Sequence, residues 1–269
     1  WLLNGERVVR APRHGEAARA LEREACLLPR IAPLLPVPVP LPELLTGPVT
    51  DARPLSIHDR VEGVPLTRDR WSALPEADRA APARQLGGFL AALHGVDVSA
   101  AAGCGLEEMD HRRRARELRR AISSGSGRKL PVPLRESLDE VLREYLAGGA
   151  EWSYQPAILH ADVSPGHVLV DPERSEVCGV IDWGDAAIGD PARDFVFLYE
   201  DWGREFLASA IEAYDPAETK RFLARVHVQY LIDQLAWTLR ASGEGREGNL
   251  EHAAAALREG VRDLGRSAG

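Results

Sequence analysis

His160–Phe195 reads HADVSPGHVLVDPERSEVCGVIDWGDAAIGDPARDF. Inside it, Val168–Val170 and Cys178–Ile181 are short β-branched and apolar runs separated by the polar segment Asp171–Glu176. That alternation predicts two strands joined by a tight connection. His160, Asp162 and His167 fall in the irregular stretch before the first strand, and Asp182 closes the second. A hairpin therefore brings all four side chains toward one end. Oxygen-rich ligands suit hard Mg²⁺, and a neighbouring carboxylate suits the proton of a substrate hydroxyl. These are the two demands of phosphoryl transfer, which asks a protein for positioning and charge neutralisation more than for covalent work.

The spacing H-A-D-x-x-x-x-H followed by I-D-W-G resembles the catalytic loop and metal-binding aspartate of the protein-kinase-like superfamily. It resembles still more the aminoglycoside and macrolide phosphotransferases, the antibiotic kinases. That resemblance implies an α+β, bilobal protein-kinase-like fold: a small antiparallel-sheet lobe at 1–62 that binds nucleotide, and a mostly helical lobe at 63–269 for catalysis and substrate. It further implies that Asp162 is the catalytic base, that His167 and Asp182 hold Mg²⁺, and that His160 shapes the loop through hydrogen bonds. His167 stands where asparagine is commoner, a substitution that marks a branch including some macrolide kinases and the 2''-hydroxyl aminoglycoside kinases. Imidazole coordinates a cation only when neutral, and its ordinary pKa is about 6.5, so activity is expected to fall in mild acid.

Taken singly, each acid has a bland explanation, because aspartate is common in turns and at strand ends. Jointly, two acids, a histidine at fixed offset and the intervening strands favour the kinase-like reading. Asp190 followed by Pro191 is an N-cap and first-turn pair for a helix expected over Ala192–Trp202, which makes Asp190 structural. Asp194 lies in that helix's first turn and is expected to support the catalytic loop.

Upstream, Trp1–Asn4 reads as a strand and Asn4-Gly5 as a hairpin turn into Glu6–Arg10. The resemblance places a first strand and a phosphate-covering loop ahead of Trp1. An amphipathic helix follows at about Glu16–Arg30, with Ala17, Leu21, Ala25 and Leu28 on one face. By resemblance, Arg10 contacts the nucleotide phosphates and Glu24 holds Arg10. Arginine replaces the family's lysine there and turns a point donor into a planar fork. Arg13 is the competing phosphate contact. Proline-rich Pro33–Pro48 reads as extended chain, and Leu55–Glu62 as the last strand of the first lobe and its linker. The resemblance has that linker receive the purine of ATP or GTP, through the carbonyl of Asp59 and the carbonyl and N–H of Val61. Main-chain contacts of this kind leave the choice of purine open.

Composition narrows the class. At 269 residues with 45% hydrophobic and 28% charged content, the chain can bury a substantial core and is neither fibrous nor disordered. A net charge of −8 argues against nucleic acid, whose binders supply cations to phosphate, and suits a polycationic small molecule. Three cysteines, Cys26, Cys104 and Cys178, are odd in number and sit in apolar or glycine-flanked contexts. No disulfide framework is expected from them, and a reducing cytoplasm is the default compartment. No apolar run approaches the roughly 18 residues of a membrane-spanning helix, so no membrane partner is expected.

Beyond Thr67 the periodicity is helical. Leu86, Phe89, Leu90 and Leu93 form a buried face ending at His94-Gly95, and His94 reads as a helix-end residue and not a ligand. The basic run His111–Arg120 reads as a solvated helix face, and Ser123–Arg128 as a break before a helix centred on Ser137–Tyr145. Further helices are expected at Arg204–Tyr214, Ala217–Arg240 and Leu250–Leu264. Glu200, Asp201, Asp233 and Trp237 would give an acidic and aromatic surface for ammonium groups. The expected activity is transfer of the γ-phosphoryl of ATP or GTP to a small-molecule hydroxyl, on an aminoglycoside first and a macrolide second. Two readings of other classes stand beside it. A metal-dependent hydrolase would use His160, Asp162, His167 and Asp182 around zinc or manganese, although no H-E-x-x-H helix or paired cysteines accompany them. A nucleotide-binding pseudokinase would account for arginine at position 10.

Overall fold

The structure, a computed structural model, describes residues 1–45, 54–243 and 255–263. In chain order its strands and α-helices are β1 (Leu2–Leu3), β2 (Arg7–Arg10), α1 (Gly15–Ile31), β3 (Glu43–Leu45), β4 (Leu55–Asp59), β5 (Val64–Pro65), α2 (Arg68–Ser72) and α3 (Ala80–His94). There follow β6 (Glu107–Glu108), α4 (His111–Ile122), α5 (Val132–Ala147), β7 (Ala157–Leu159), β8 (Val168–Val170), β9 (Val177–Val180), β10 (Ala187–Gly189), α6 (Arg204–Tyr214) and α7 (Thr219–Gly243). The fold is α+β. Contacts divide the chain into one unit of 1–109 with 155–215 and another of 110–154 with 216–269. The expected boundary at 62/63 falls inside the first of these.

In the first unit an antiparallel sheet runs in the order β1-β2-β4-β3. Asn4 and Gly5 both take positive φ, as a two-residue hairpin turn matching the strand twist requires. Arg7 faces Asp59 across the β2–β4 pair, and their side chains meet at 3.3 Å. Helix α1 follows β2 in the chain and precedes β3 and β4. Its buried stripe is Leu21, Glu24, Leu27, Leu28 and Ile31, rotated from the expected Ala17-Leu21-Ala25-Leu28 line. The rotation arises because Glu24 takes an inward position opposite Arg10, which apolar periodicity alone does not register. The segment Leu35–Pro42 is irregular, with Val37 and Val39 buried; residues 46–48 of the proline-rich run lie outside the described residues.

Strands β8 and β9 form the expected antiparallel hairpin, and β5 extends it to three strands. Helix α3 buries Leu86, Phe89, Leu90 and Leu93 completely. It lies so close to α6 that a Cβ on Gly87 would overlap the Ala210 carbonyl. The neighbour there is backbone and has little freedom to yield. Gly87→Ala is expected to lower stability by about 1–3 kcal/mol, as overpacking does, read as a shift in the urea midpoint. An unchanged midpoint would show that α3 and α6 can separate without cost.

The second unit is helical. Ala115, Leu118 and Ile122 of α4 pack with Leu138 and Leu142 of α5, Val228, Leu231 and Leu235 of α7, and Leu257 of a helix at 255–263. The basic run on α4 thus buries its small and apolar positions and turns most of its arginines outward, as expected; Arg119 pairs with Asp139 at 2.6 Å. The expected final helix at Leu250–Leu264 is described only over 255–263. No described helix is long and apolar enough to cross a membrane.

The structure overturns one expectation outright, because Cys26 and Cys104 form a disulfide with Cα atoms 5.3 Å apart. Their separation of 78 residues leaves no local spacing to read, and the odd count reflects Cys178, which is free. In the chain-entropy picture, closing a loop of that size stabilises the folded state by about 4.5 kcal/mol.

Candidate active site

The loop between β7 and β8 and the turn after β9 converge as the hairpin predicts. His167 lies between two carboxylates: its Nδ1 is 3.3 Å from Asp162 Oδ2 and its Nε2 is 3.4 Å from Asp182 Oδ2. Nδ1 also sits 2.9 Å from the Asp162 carbonyl and 3.1 Å from Ser164 Oγ. In the neutral ring, an Nδ1–H donating to that carbonyl leaves the Nε2 lone pair facing Asp182. Ser164 was not anticipated; lying three residues before His167 in a Pro-Gly loop, it had only that proximity as a signal.

Two non-glycine residues beside the site take left-handed backbone, Ala161 at φ 68° and Asp182 at φ 63°. Such conformations cost energy and persist where surrounding contacts impose them. At Ala161 the imposing group is Asp194, fully buried, whose Oδ1 accepts from Ala161 N at 2.6 Å and whose Oδ2 accepts from His160 N at 3.0 Å. His94 Nε2 reaches the same carboxylate at 3.0 Å, and His94 Nδ1 meets Tyr214 Oη at 3.1 Å. Burial alone would raise the Asp194 carboxyl, but the His94 hydrogen bond and charge, with the His160 contacts, hold it below the usual range. His160 is itself buried and its pKa is pushed down, chiefly by that burial. Its Nε2 lies 3.0 Å from the Ile181 carbonyl, and its Nδ1 accepts from Asp162 N at 3.2 Å. The ring thus ties the loop of Asp162 to the strand end before Asp182.

Asp190 caps its helix as expected, its Oδ1 accepting from Ala192 N at 3.0 Å with Pro191 in the first turn. The helix expected over Ala192–Trp202 is not one α-helix. It begins as a 3₁₀ turn at Pro191–Phe195 and ends as a π-helix at Leu198–Trp202, a form frequent at functional sites. The π segment carries Glu200 and Asp201. Burial, and next the charge of Asp162, raise the Asp201 carboxyl, while Arg68 lowers it. Asp201 and Arg68 are therefore electrostatic neighbours of the site. Asp233 and Trp237 lie on α7 in the second unit, where Asp233 is 3.9 Å from Arg114 and Trp237 is about half exposed.

Arg10 and Glu24 form a close pair. Arg10 Nη1 donates to both Glu24 oxygens, at 2.8 and 2.6 Å, and Arg10 Nη2 reaches Asp182 Oδ1 at 3.2 Å. Glu24 is 2% exposed, so this is no solvated surface pair. The guanidinium fork spans two acids at once, which a lysine would do less well. Arg23, one residue before Glu24, donates to the Gly184 carbonyl at 3.1 Å. Arg13 is exposed.

Burial pushes the Glu24 carboxyl up to about 7, against the pull of Arg10 and with help from the Asp182 charge. Donation from Arg10 Nη1 to both oxygens needs the carboxylate, so the full ion pair forms as pH rises through that value. A folded pKa above the unfolded 4.5 contributes stability that is complete below 4.5 and is lost by about 7. Glu24→Gln should flatten that decline, so the wild-type urea midpoint is expected to fall relative to the variant's as pH rises from about 5 to about 8. Parallel curves would rule out Glu24 as the titrating group.

Asp59 and Val61 line a cavity of about 620 Å³ together with Pro38, Val39, Gly63 and Cys178. None of Asp162, His167, Asp182, Arg10 or Glu24 lines it. The Asp59 carbonyl is met by His58 Nδ1 at 2.8 Å, which leaves its second lone pair for another donor.

Among the described residues no group of three or more His, Cys, Asp or Glu side chains is arranged as a complete metal cage. Mg²⁺ seldom uses one; it is held by one or two carboxylates with waters and substrate phosphates filling the shell. Asp182 Oδ2 and His167 Nε2, 3.4 Å apart, fit such a partial donor set.

The phosphotransferase enzyme family model matches residues 1–228. A viomycin phosphotransferase from Streptomyces vinaceus is 26% identical over 199 residues, covering 72% of this chain and 67% of that protein. The GDP complex of wild-type aminoglycoside 2'-phosphotransferase-IIIa superposes with a TM-score of 0.84 at 26% identity, covering 97% of this chain and 88% of the other. A macrolide 2'-phosphotransferase from Brachybacterium faecium gives a TM-score of 0.68 at 26% identity, covering 93% and 83%.

Proposed function

The chain belongs to the phosphotransferase enzyme family, and from that premise we propose that it moves the γ-phosphoryl of ATP or GTP to a hydroxyl of a small molecule, with an aminoglycoside as first acceptor and a macrolide as second. The observation that carries the reading is the row Asp162, His167, Asp182, Arg10 and Glu24, each side chain within 3.4 Å of the next. In it Asp162 accepts the hydroxyl proton, and Arg10, braced by Glu24, donates to phosphate oxygens. Asp182 and His167 hold Mg²⁺, which when bound neutralises charge on the transferring phosphates. Asp59 and Val61 meet the purine through main-chain groups at the linker.

Support for the acceptor comes from charge and kin. Glu200 and Asp201 on the π segment are acids suited to ammonium groups and are proposed as acceptor contacts; Asp233 and Trp237, on α7, are proposed separately in the same role. The solved relatives are named for aminoglycosides and macrolides, and a sequence relative for viomycin. A cytoplasmic location belongs to the same reading, and it would place the Cys26–Cys104 bond under reducing conditions.

The test is a panel of aminoglycosides, macrolides, viomycin and small alcohols, each with ATP and with GTP, in Mg²⁺ and in Zn²⁺. Nucleoside diphosphate release and the product's mass gain are read together. Expected is acceptor-dependent release in Mg²⁺ with a phosphorylated aminoglycoside. Acceptor-independent hydrolysis favoured by zinc would establish the hydrolase reading instead, and tight nucleotide binding with no release would establish a pseudokinase.

A further inference from the structure

We propose that the Cys26–Cys104 disulfide is a positioning element for the nucleotide: it fixes the register of α1, and reducing it loosens the Glu24–Arg10 clamp. The proposal rests on the phosphotransferase reading for the identity of the nucleotide.

Helix α1 is attached at successive points between Arg23 and Arg30. Arg23 donates to the Gly184 carbonyl, just beyond Asp182, and Glu24 holds Arg10. Two residues after Glu24, Cys26 is bonded to Cys104. One turn later, Arg30 Nη1 donates to the carbonyls of Ala100 and Ala102 at 3.0 and 2.9 Å. One covalent and two polar links thus run from this short stretch of helix to a single segment, 100–104.

That segment is shaped for the attachment. Gly103 and Gly105, on either side of Cys104, both take left-handed backbone, φ 76° and 72°, which an L side chain adopts only with strain. The chain turns sharply there, and Cys104 is buried at 5% exposure. A Cβ on Gly105 would lie 3.9 Å from Arg23 Cγ, so the turn also lies alongside the Arg23 stem.

The apolar face of α1 holds the helix in place as an element, since Leu27, Leu28 and Ile31 are fully buried. Apolar contacts, however, tolerate small slides. The Arg10 Nη1 contact with both Glu24 oxygens, at 2.6 and 2.8 Å, does not, because hydrogen bonding weakens steeply with distance and angle. The disulfide therefore adds precision to Glu24 more than it adds burial. In the reducing step a dithiol supplies two electrons and two protons to the S–S bond. The bond breaks, Cys26 and Cys104 become thiols, and the dithiol closes to its own cyclic disulfide.

The experiment uses the full chain purified without reductant, with and without excess dithiothreitol. Thiol titration should count one reactive cysteine before reduction, Cys178, and three after. The affinity for ATP, and separately for GTP, with Mg²⁺ is measured by calorimetry, and the KM of the acceptor is followed in parallel. Reduction is expected to weaken nucleotide binding roughly five- to tenfold with no change in acceptor KM. Cys104→Ser should bind nucleotide like the reduced protein under both conditions. In Glu24→Gln, reduction should bring no further loss, because the contact it loosens is already gone. The proposal is overturned by equal nucleotide affinity in both redox states, by three thiols in the unreduced chain, or by an undiminished reduction effect in Glu24→Gln. A parallel loss of acceptor affinity would overturn it as well, since that marks loosening beyond the Glu24–Arg10 contact; a lower melting temperature alone is the expected result of losing the cross-link. Calorimetry needs no turnover: a redox-dependent affinity without any phosphorylated acceptor would leave this proposal standing and sink the phosphotransferase reading.

Discussion

Asp162→Asn is expected to reduce turnover by about three orders of magnitude, within the 10²–10⁴-fold range of a positioned general base, while both KM values stay close to wild type. Asparagine keeps the shape of the side chain and an oxygen toward His167 Nδ1, which lies 3.3 Å from Asp162 Oδ2. It removes the one property the proposal needs, an acceptor for the hydroxyl proton. The backbone of residue 162 is held independently, its N–H by His160 Nδ1 and its carbonyl by His167 Nδ1. The urea midpoint should therefore move little. The measurement is kcat and KM by nucleoside diphosphate release, with the urea curve as the control. Turnover within tenfold of wild type would mean that another group takes the proton or that none needs to be taken. Asp182→Asn should give a different pattern, because that side chain meets both Arg10 and His167. Its loss should raise the magnesium requirement, which Asp162→Asn leaves unchanged.

What could be read from the sequence divides along physical lines. Strand β8 matches Val168–Val170, β9 lies one residue from its expected place, and α6 occupies Arg204–Tyr214 as expected. Each is fixed by periodicity within a few residues, and short-range pattern is what sequence displays. The approach of His167 to two carboxylates was legible for the same reason, since all of those residues flank one hairpin. Pairings over long separations were legible only through resemblance or not at all. Arg10 with Glu24 came from resemblance. His94 with Asp194, separated by 100 positions, and Cys26 with Cys104 have no periodic signature. The helix after Pro191 was legible at its cap and not in its interior. Asp190 and Pro191 are a local signal, whereas the π-helix at Leu198–Trp202 coincides with tertiary anchors such as Trp202 Nε1 on the Leu66 carbonyl at 3.0 Å.

Asp194→Ala is expected to be among the costliest single changes in the first unit. The carboxylate is fully buried and accepts from His160 N, Ala161 N and His94 Nε2 at 2.6–3.0 Å. Alanine would leave those donors in a dry site, and breaking a buried charged network in this way costs about 3–5 kcal/mol. That is a large share of the 5–15 kcal/mol typical of a folded domain. The loss should reach function before it reaches unfolding, because Ala161 at φ 68° keeps its strained backbone only while Asp194 holds its N–H. Released, Ala161 would relax and carry Asp162 away from His167. Asp194→Asn should fall between wild type and alanine, since its carbonyl can accept while its amide faces donors. Acid should mimic the mutation. A carboxyl held below its ordinary pKa contributes stability that is present above the unfolded value of 3.8 and lost as pH falls through the lower folded one. Urea midpoints for the three proteins, taken at neutral pH and again in acid, should therefore draw together as the solution is acidified. Equal midpoints at neutral pH would show that the loop of Asp162 keeps its shape without this anchor.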